Sequence, residues 1–304
     1  MVNNADFFEQ TCLGTVQFGL NYGVSNKNGQ IAGADVQRIL ELAHHYNVSR
    51  LDTAADYGDC ERVLSKYPET LQNFSIATKS IKTSNIQEKK FSKIKTDLIE
   101  SLETSLDILG MKSFDLYYLR SPETLFQYHR EDTSKYIAEI KEKGLVNKIG
   151  ISIYEEKQLN DILEVFQPDV IQIPFNILDQ RLSKSGTLKS LKAKGIDIYA
   201  RSLFLQGLLL MQPDQIPNFF RPIKSHLQQI HSQLTEYSLS PLQACLLCAF
   251  QTKEIDKIIL GVSSLKEWKE ILKTIEELPN QPLDWSSMSL DNETFLNPSK
   301  WEVN

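Results

Sequence analysis

The chain lacks most of what would tie it to secretion, membranes or nucleic acid. Its 304 residues include four cysteines, Cys12, Cys60, Cys245 and Cys248, too few for a disulfide scaffold and suited to a reducing compartment. No apolar run reaches the length of a membrane span. The opening MVNNADFFEQ has neither a basic segment followed by an apolar one nor a cleavage site, so the expectation is no signal peptide and a cytoplasmic location. A net charge of −6 leaves no basic footprint for phosphate backbones, which argues against a nucleic-acid partner. The five histidines, His44, His45, His129, His226 and His231, all fall in predicted helices or their flanks. That argues against a Ser-His-Asp triad or a histidine-rich metal site. Glycine is also sparse where it would matter for an open dinucleotide-binding sheet. The nearest cluster, GTVQFGLNYG, is mis-spaced for the Gly-rich fingerprint. Cys245 and Cys248 form a CxxC, but within SPLQACLLCAF, an apolar helix with Ser240 as cap and Pro241 at its first position. Two buried core cysteines are expected there rather than a redox or zinc pair.

What is present is a regular alternation. Eight β-branched or aromatic runs stand near residues 12, 50, 75, 115, 148, 171, 196 and 258, beginning with CLGTVQFG and ending with KIILGV. Between them lie amphipathic segments. In 92–110, Ile94, Leu98, Leu102, Leu106 and Leu109 repeat at helical spacing; 34–46 and 155–166 show the same pattern. The strands are near-continuously apolar, as in a parallel sheet covered by helices. With no linker or low-complexity stretch, the pattern predicts an α/β fold, a (β/α)8 TIM barrel spanning 1–304 as one domain. Two segments stand outside the alternation: a long apolar connection at 202–222, and a tail from Leu278 carrying Trp285, Phe295 and Trp301. These either cover a site or pack the tail against the barrel wall.

In such a barrel the site lies at the C-terminal ends of the strands. The polar residues that end the runs are Asp52, Lys79, Arg120, Ser152, Gln172 and Arg201, with Tyr57 in the loop after the second strand. Singly, each reads as a rim ion pair or hydrogen bond. Together they suit proton transfer: an ammonium beside a phenol favours phenolate and draws down its pKa, while Asp52 keeps the lysine charged. The phenol then gives a proton to a developing alkoxide or takes one back.

These residues lie in a run, LDTAADYGDCERVLSK, that closely resembles the second-strand signature of the aldo/keto reductases. The resemblance continues in order through IATK, FDLYYLRSPE, KIGISIY, QIPFNILDQR and IILGVSSLKEW. It implies an oxidoreductase barrel that binds NAD(P)H across its strand ends, with Asp52, Tyr57 and Lys79 as catalytic residues. Ser152 and Gln172 match positions that hold the nicotinamide carboxamide; Asn176 belongs to the same strand-six motif. Thr15, Gly261, Ser263, Ser264, Lys266 and Glu267 complete the cofactor set that it implies. The chain departs from the family at three points. Ile153 replaces a usual asparagine, Arg201 an aromatic ring that stacks under the nicotinamide, and Arg120 the histidine that positions the carbonyl. Arg120 has three readings: it binds a substrate anion, it stabilises developing negative charge, or it alters the reaction. Cofactor preference stays open, because Glu267 stands where NADPH-preferring members carry an arginine while Lys266 is its neighbour. The expected partner is a small carbonyl compound, anionic or sugar-like. A nicotinamide-binding protein with a regulatory or scaffold role is the alternative, motivated by Arg120 and Arg201.

Overall fold

The computed structural model describes residues 4–83 and 85–301; the first three residues of the opening stretch, 1–3, lie outside them. All eight expected strands form, as β1 Thr11–Gly14, β2 Arg50–Asp52, β3 Ser75–Lys79, β4 Phe114–Leu119, β5 Val146–Ser152, β6 Val170–Pro174, β7 Asp197–Arg201 and β8 Lys257–Gly261. They pair in parallel in chain order and close on themselves, with Leu13 of β1 opposite Leu260 of β8. The fold is a TIM barrel. Period-two alternation divides its apolar residues between two cores. Cys12, Leu116, Tyr118, Val170, Tyr199 and Ile259 fill the barrel's interior. Leu13, Leu51, Ile76, Ile149, Ile171 and Ile198 face outward into the helices. Gly150, opposite Tyr118 in the β4–β5 ladder, leaves room for that ring: a Cβ there would stand 2.4 Å from it.

The helices follow their stripes. Phe91–Leu109 buries Ile94, Leu98, Leu102, Leu106 and Leu109 and ends at Gly110, whose left-handed backbone closes the last turn. Pro241–Phe250 opens with the expected Ser240 cap, completed into a capping box by Gln243, and buries Cys245 and Cys248. Both thiols are free, and burial pushes the Cys245 thiol up to about 12, the signature of inert core cysteines. Among the described residues no helix is long and apolar enough to cross a membrane.

The first strand run is shorter than the sequence pattern suggests. β1 stops at Gly14, and Val16–Gly19 forms a helical turn. Its cause is local: the Thr15 N–H bonds across to the Asp52 carbonyl, and the Phe18 N–H then bonds back to the Thr15 carbonyl, burying the Phe18 ring. The connection after β7 and the tail pack against each other. Trp301 meets Phe220 edge-on at 4.8 Å and Phe295 meets Phe219 at 5.7 Å. The tail therefore braces the long connection, whose Leu203, Phe204, Gln206 and Gly207 in turn line the cavity at the strand ends.

Candidate active site

At the C-terminal ends of the strands lies a cavity of about 470 Å³, lined by Asp52, Tyr57, Lys79, Arg120, Ser152, Gln172, Arg201, Thr15, Gly261, Ser263 and Glu267. The strand-end residues singled out in the sequence thus share one space. Asp52 is its electrostatic hub, with 5% of its surface exposed. One carboxylate oxygen accepts from Lys79 Nζ, and the other accepts from Gln172 Nε2 at 2.9 Å. Lys79 also donates to the Thr53 carbonyl at 2.9 Å. A buried ammonium so held is costly unless paired. Burial draws the Lys79 pKa below the ordinary lysine value, and the Asp52 carboxylate opposes that pull.

Tyr57 lies over this pair, the Lys79 ammonium 5.2 Å from its ring centre. Its position is set by two glycines. A Cβ on Gly19 would come within 1.8 Å of the Tyr57 carbonyl oxygen, and Gly58, at φ +57°, packs back against the Gly19 carbonyl. The expectation that Lys79 lowers the phenol's pKa is corrected here. Burial, then the negative charge of Asp52, raise it; Arg120 and Arg201 offset only part of the rise. Tyr57 is a neutral phenol across the physiological range.

Thr15 donates through its hydroxyl to the Asp52 carbonyl at 3.1 Å, so it braces β2 as well as lining the cavity. Ser152 donates to Gln172 Oε1 at 3.3 Å. Asn176 is fully buried and takes both the Leu178 and Asp179 N–H groups at 2.9 Å, tying down the loop after β6. Arg201 lies over the Tyr154 ring, 4.3 Å from its centre, and donates to the Ile153 carbonyl at 3.2 Å. Its charge is met by a ring face and a backbone dipole rather than left bare.

At the far end, the helix Leu265–Glu276 carries its own anion. Glu267 accepts from the Ser263 N–H at 2.6 Å and from the Ser263 hydroxyl at 2.7 Å, while Ser264 caps the helix by accepting from the Glu267 N–H at 3.1 Å. Ser264 and the exposed Lys266 stand outside the cavity lining. Nearby, Gln17 Oε1 is buried with no hydrogen-bond partner, beside Gly261, where a Cβ would stand 3.2 Å away.

Arg120 has a partner that none of its three sequence readings includes. Its Nη1 donates to Asp56 Oδ2 at 2.7 Å, with the guanidinium 5.9 Å from the centre of the Tyr57 ring. Asp56, Tyr22, Tyr154, Gln17 and Glu123 all line the cavity without having been singled out in the sequence. Asp56 sat in view inside the LDTAADYG run, but only the fold shows that it faces Arg120, 64 residues away. No group of three or more His, Cys, Asp or Glu side chains suited to a metal occurs among the described residues.

The model of the aldo/keto reductase family matches residues 11–288. The chain belongs to the aldo/keto reductase family. Among its relatives, L-galactose dehydrogenase of Arabidopsis thaliana is 23% identical over 287 residues, covering 90% of this chain and 87% of that protein. Aflatoxin B1 aldehyde reductase member 2 of Mus musculus is 27% identical over 314 residues, covering 90% and 81%. Among solved structures, the aldo-keto reductase AKR11C1 from Bacillus halodurans superposes with a TM-score of 0.71 at 18% identity, over 96% of this chain and 94% of that one. The last shows the shared barrel. In this aldo/keto reductase Asp52, Tyr57 and Lys79 stand together at the cavity.

Proposed function

We propose that this chain, working as a single barrel domain, reduces the carbonyl group of a small polar, sugar-like compound, with Tyr57 as the proton donor. The observation that carries this reading is the buried Asp52–Lys79 pair beneath a phenol that stays protonated at neutral pH. A nicotinamide dinucleotide supplies the hydride when bound. The residues at hand fit such a group: Ser152 and Gln172 for the carboxamide, and the orphaned Gln17 carbonyl beside Gly261 as an acceptor for a ribose hydroxyl. Tyr57 donates its proton to the carbonyl oxygen as that oxygen gains negative charge. Arg120 and Arg201 offset part of the cost of the phenolate left behind, and Asp52 keeps Lys79 charged and fixed beneath the ring. Gln172, bonded to Asp52, holds the carboxylate's second oxygen. The name of one relative, L-galactose dehydrogenase, agrees with a sugar-like substrate, and that of the other, an aldehyde reductase, with a carbonyl one.

The preferred cofactor in this reading is NADH. Glu267 already fills the N-terminal end of its helix with a carboxylate, where a 2′-phosphate would meet like charge and lost hydrogen bonds. Fluorescence titration with NADH and NADPH, followed by a panel of aldehydes and aldoses, tests both statements. NADH should bind at least about tenfold more tightly, a difference of about 1.4 kcal/mol, and be oxidised when a hydroxylated aldehyde is added. Binding without turnover on any carbonyl would instead support a cofactor-binding role; absence of binding would remove the oxidoreductase reading altogether.

A further inference from the structure

The Arg120–Asp56 pair assigns a substrate preference that goes deeper than carbonyl reduction, and the inference rests on the function proposed above. A lone arginine beside the reacting carbon would draw carboxylates and phosphates. Here its charge is met by Asp56 at 2.7 Å. A second acidic side chain, Glu123, lines the same cavity and has a buried Oε2 with no hydrogen-bond partner. Anions entering the cavity therefore meet Asp56 and Glu123 as well as Arg120 and Lys82. What remains open is a mixed set. Arg120 uses one N–H group on Asp56 and Asp56 accepts through one oxygen, so donors and an acceptor stand side by side next to Tyr57. A hydroxyl group both donates and accepts, and so satisfies both at once. A carboxylate offers only acceptors and leaves Asp56 opposed.

We propose that Asp56, acting with Arg120, is a specificity-determining residue that selects neutral carbonyl compounds bearing a hydroxyl on the adjacent carbon and rejects their acidic counterparts. The geometry is suitable because Arg120, following β4, and Asp56, one residue before Tyr57, flank the phenol, the guanidinium lying 5.9 Å from its ring centre. A carbonyl bonded to Tyr57 carries its neighbouring carbon towards them. Polar sites that bind a hydroxyl reject the analogue lacking it strongly, since the site's own groups are left unpaired.

The test compares kcat/KM for glyceraldehyde, propanal and glyoxylate in the wild-type protein, Asp56→Asn and Arg120→Gln, with NADH as reductant. Wild type should favour glyceraldehyde over propanal by about 10- to 100-fold, mainly through KM, and use glyoxylate poorly. Both variants should lose most of that ratio. Asp56→Asn, which leaves Arg120 uncancelled, should raise the relative use of glyoxylate about tenfold or more, whereas Arg120→Gln should not. NADH affinity and thermal melting measured on each variant separate these effects from misfolding. A glyceraldehyde-to-propanal ratio unchanged within about twofold in Asp56→Asn, with no gain on glyoxylate, would overturn the inference. If wild type turns over no carbonyl, the proposed function falls on its own. Saturation-transfer NMR of glycerol against glycolate then still decides the pair: glycerol bound by wild type and lost in Asp56→Asn supports it, and glycolate preferred by wild type refutes it.

Discussion

At the residue scale, the proposed chemistry turns on which charged groups the Tyr57 phenol meets. The ammonium of Lys79 lies beneath its ring but is committed to Asp52 and the Thr53 carbonyl. Burial and the Asp52 carboxylate therefore outweigh the cations and hold the phenol above its ordinary value. The sign has a direct kinetic consequence. Reduction needs the protonated phenol, which persists up to and beyond its ordinary pKa, so kcat/KM for reduction should be flat between about pH 6 and 9. Oxidation of the alcohol product needs the scarce phenolate, so its rate should climb through the same range, by up to about tenfold per unit. Pre-steady-state rates in both directions across that range check this. A reduction rate that falls with a midpoint near neutrality would mean that the phenol is lowered instead. Asp52, Tyr57 and Lys79 were legible in the sequence because each ends a strand run or sits in the loop just after one. The sign of the phenol's shift was not, because it depends on burial depth and on Lys79's other partners.

At the scale of elements, the loop that carries Tyr57 is held by contact with the turn Val16–Gly19. That turn is the one place where a strand run misled: CLGTVQFG is apolar enough to continue as strand, but the backbone bonds of Thr15 and Phe18 fold it inward. Only glycine fits its last position. Gly19→Ala should push the Tyr57 loop outward, since the added carbon meets the backbone carbonyl 1.8 Å away, with no flexible atom to yield. A loss of about 10- to 100-fold in kcat, with a smaller change in cofactor affinity, is expected. Parallel measurement of thermal stability and NADH binding checks that the effect is local; full activity in this variant would show that the loop is not positioned by the contact. The long connection after β7 and the aromatic tail were equally visible as exceptions to the alternation. Their mutual packing, Phe219 and Phe220 on Phe295 and Trp301, was not readable, since no periodicity links segments that meet only through the fold.

Across the whole molecule, a chain of net charge −6 gathers Lys79, Lys82, Arg120 and Arg201 around one cavity. Three are answered locally: Lys79 by Asp52, Arg120 by Asp56, Arg201 by the Tyr154 ring and the Ile153 carbonyl. The barrel makes this possible by bringing the ends of eight strands, dispersed from residue 14 to residue 261, onto one rim. That architecture was legible because each strand and helix carries its own apolar period, and the rim residues follow from the barrel rule. The partners of the arginines come from loops, where no period constrains direction. In the proposed function this rim serves proton transfer by Tyr57. Single-turnover oxidation of NADH by a hydroxylated aldehyde, compared between wild type and Tyr57→Phe, tests it most directly. A fall of about 10²- to 10⁴-fold in the rate is expected, with NADH affinity within about twofold of wild type. A Tyr57→Phe rate within about threefold of wild type would contradict it.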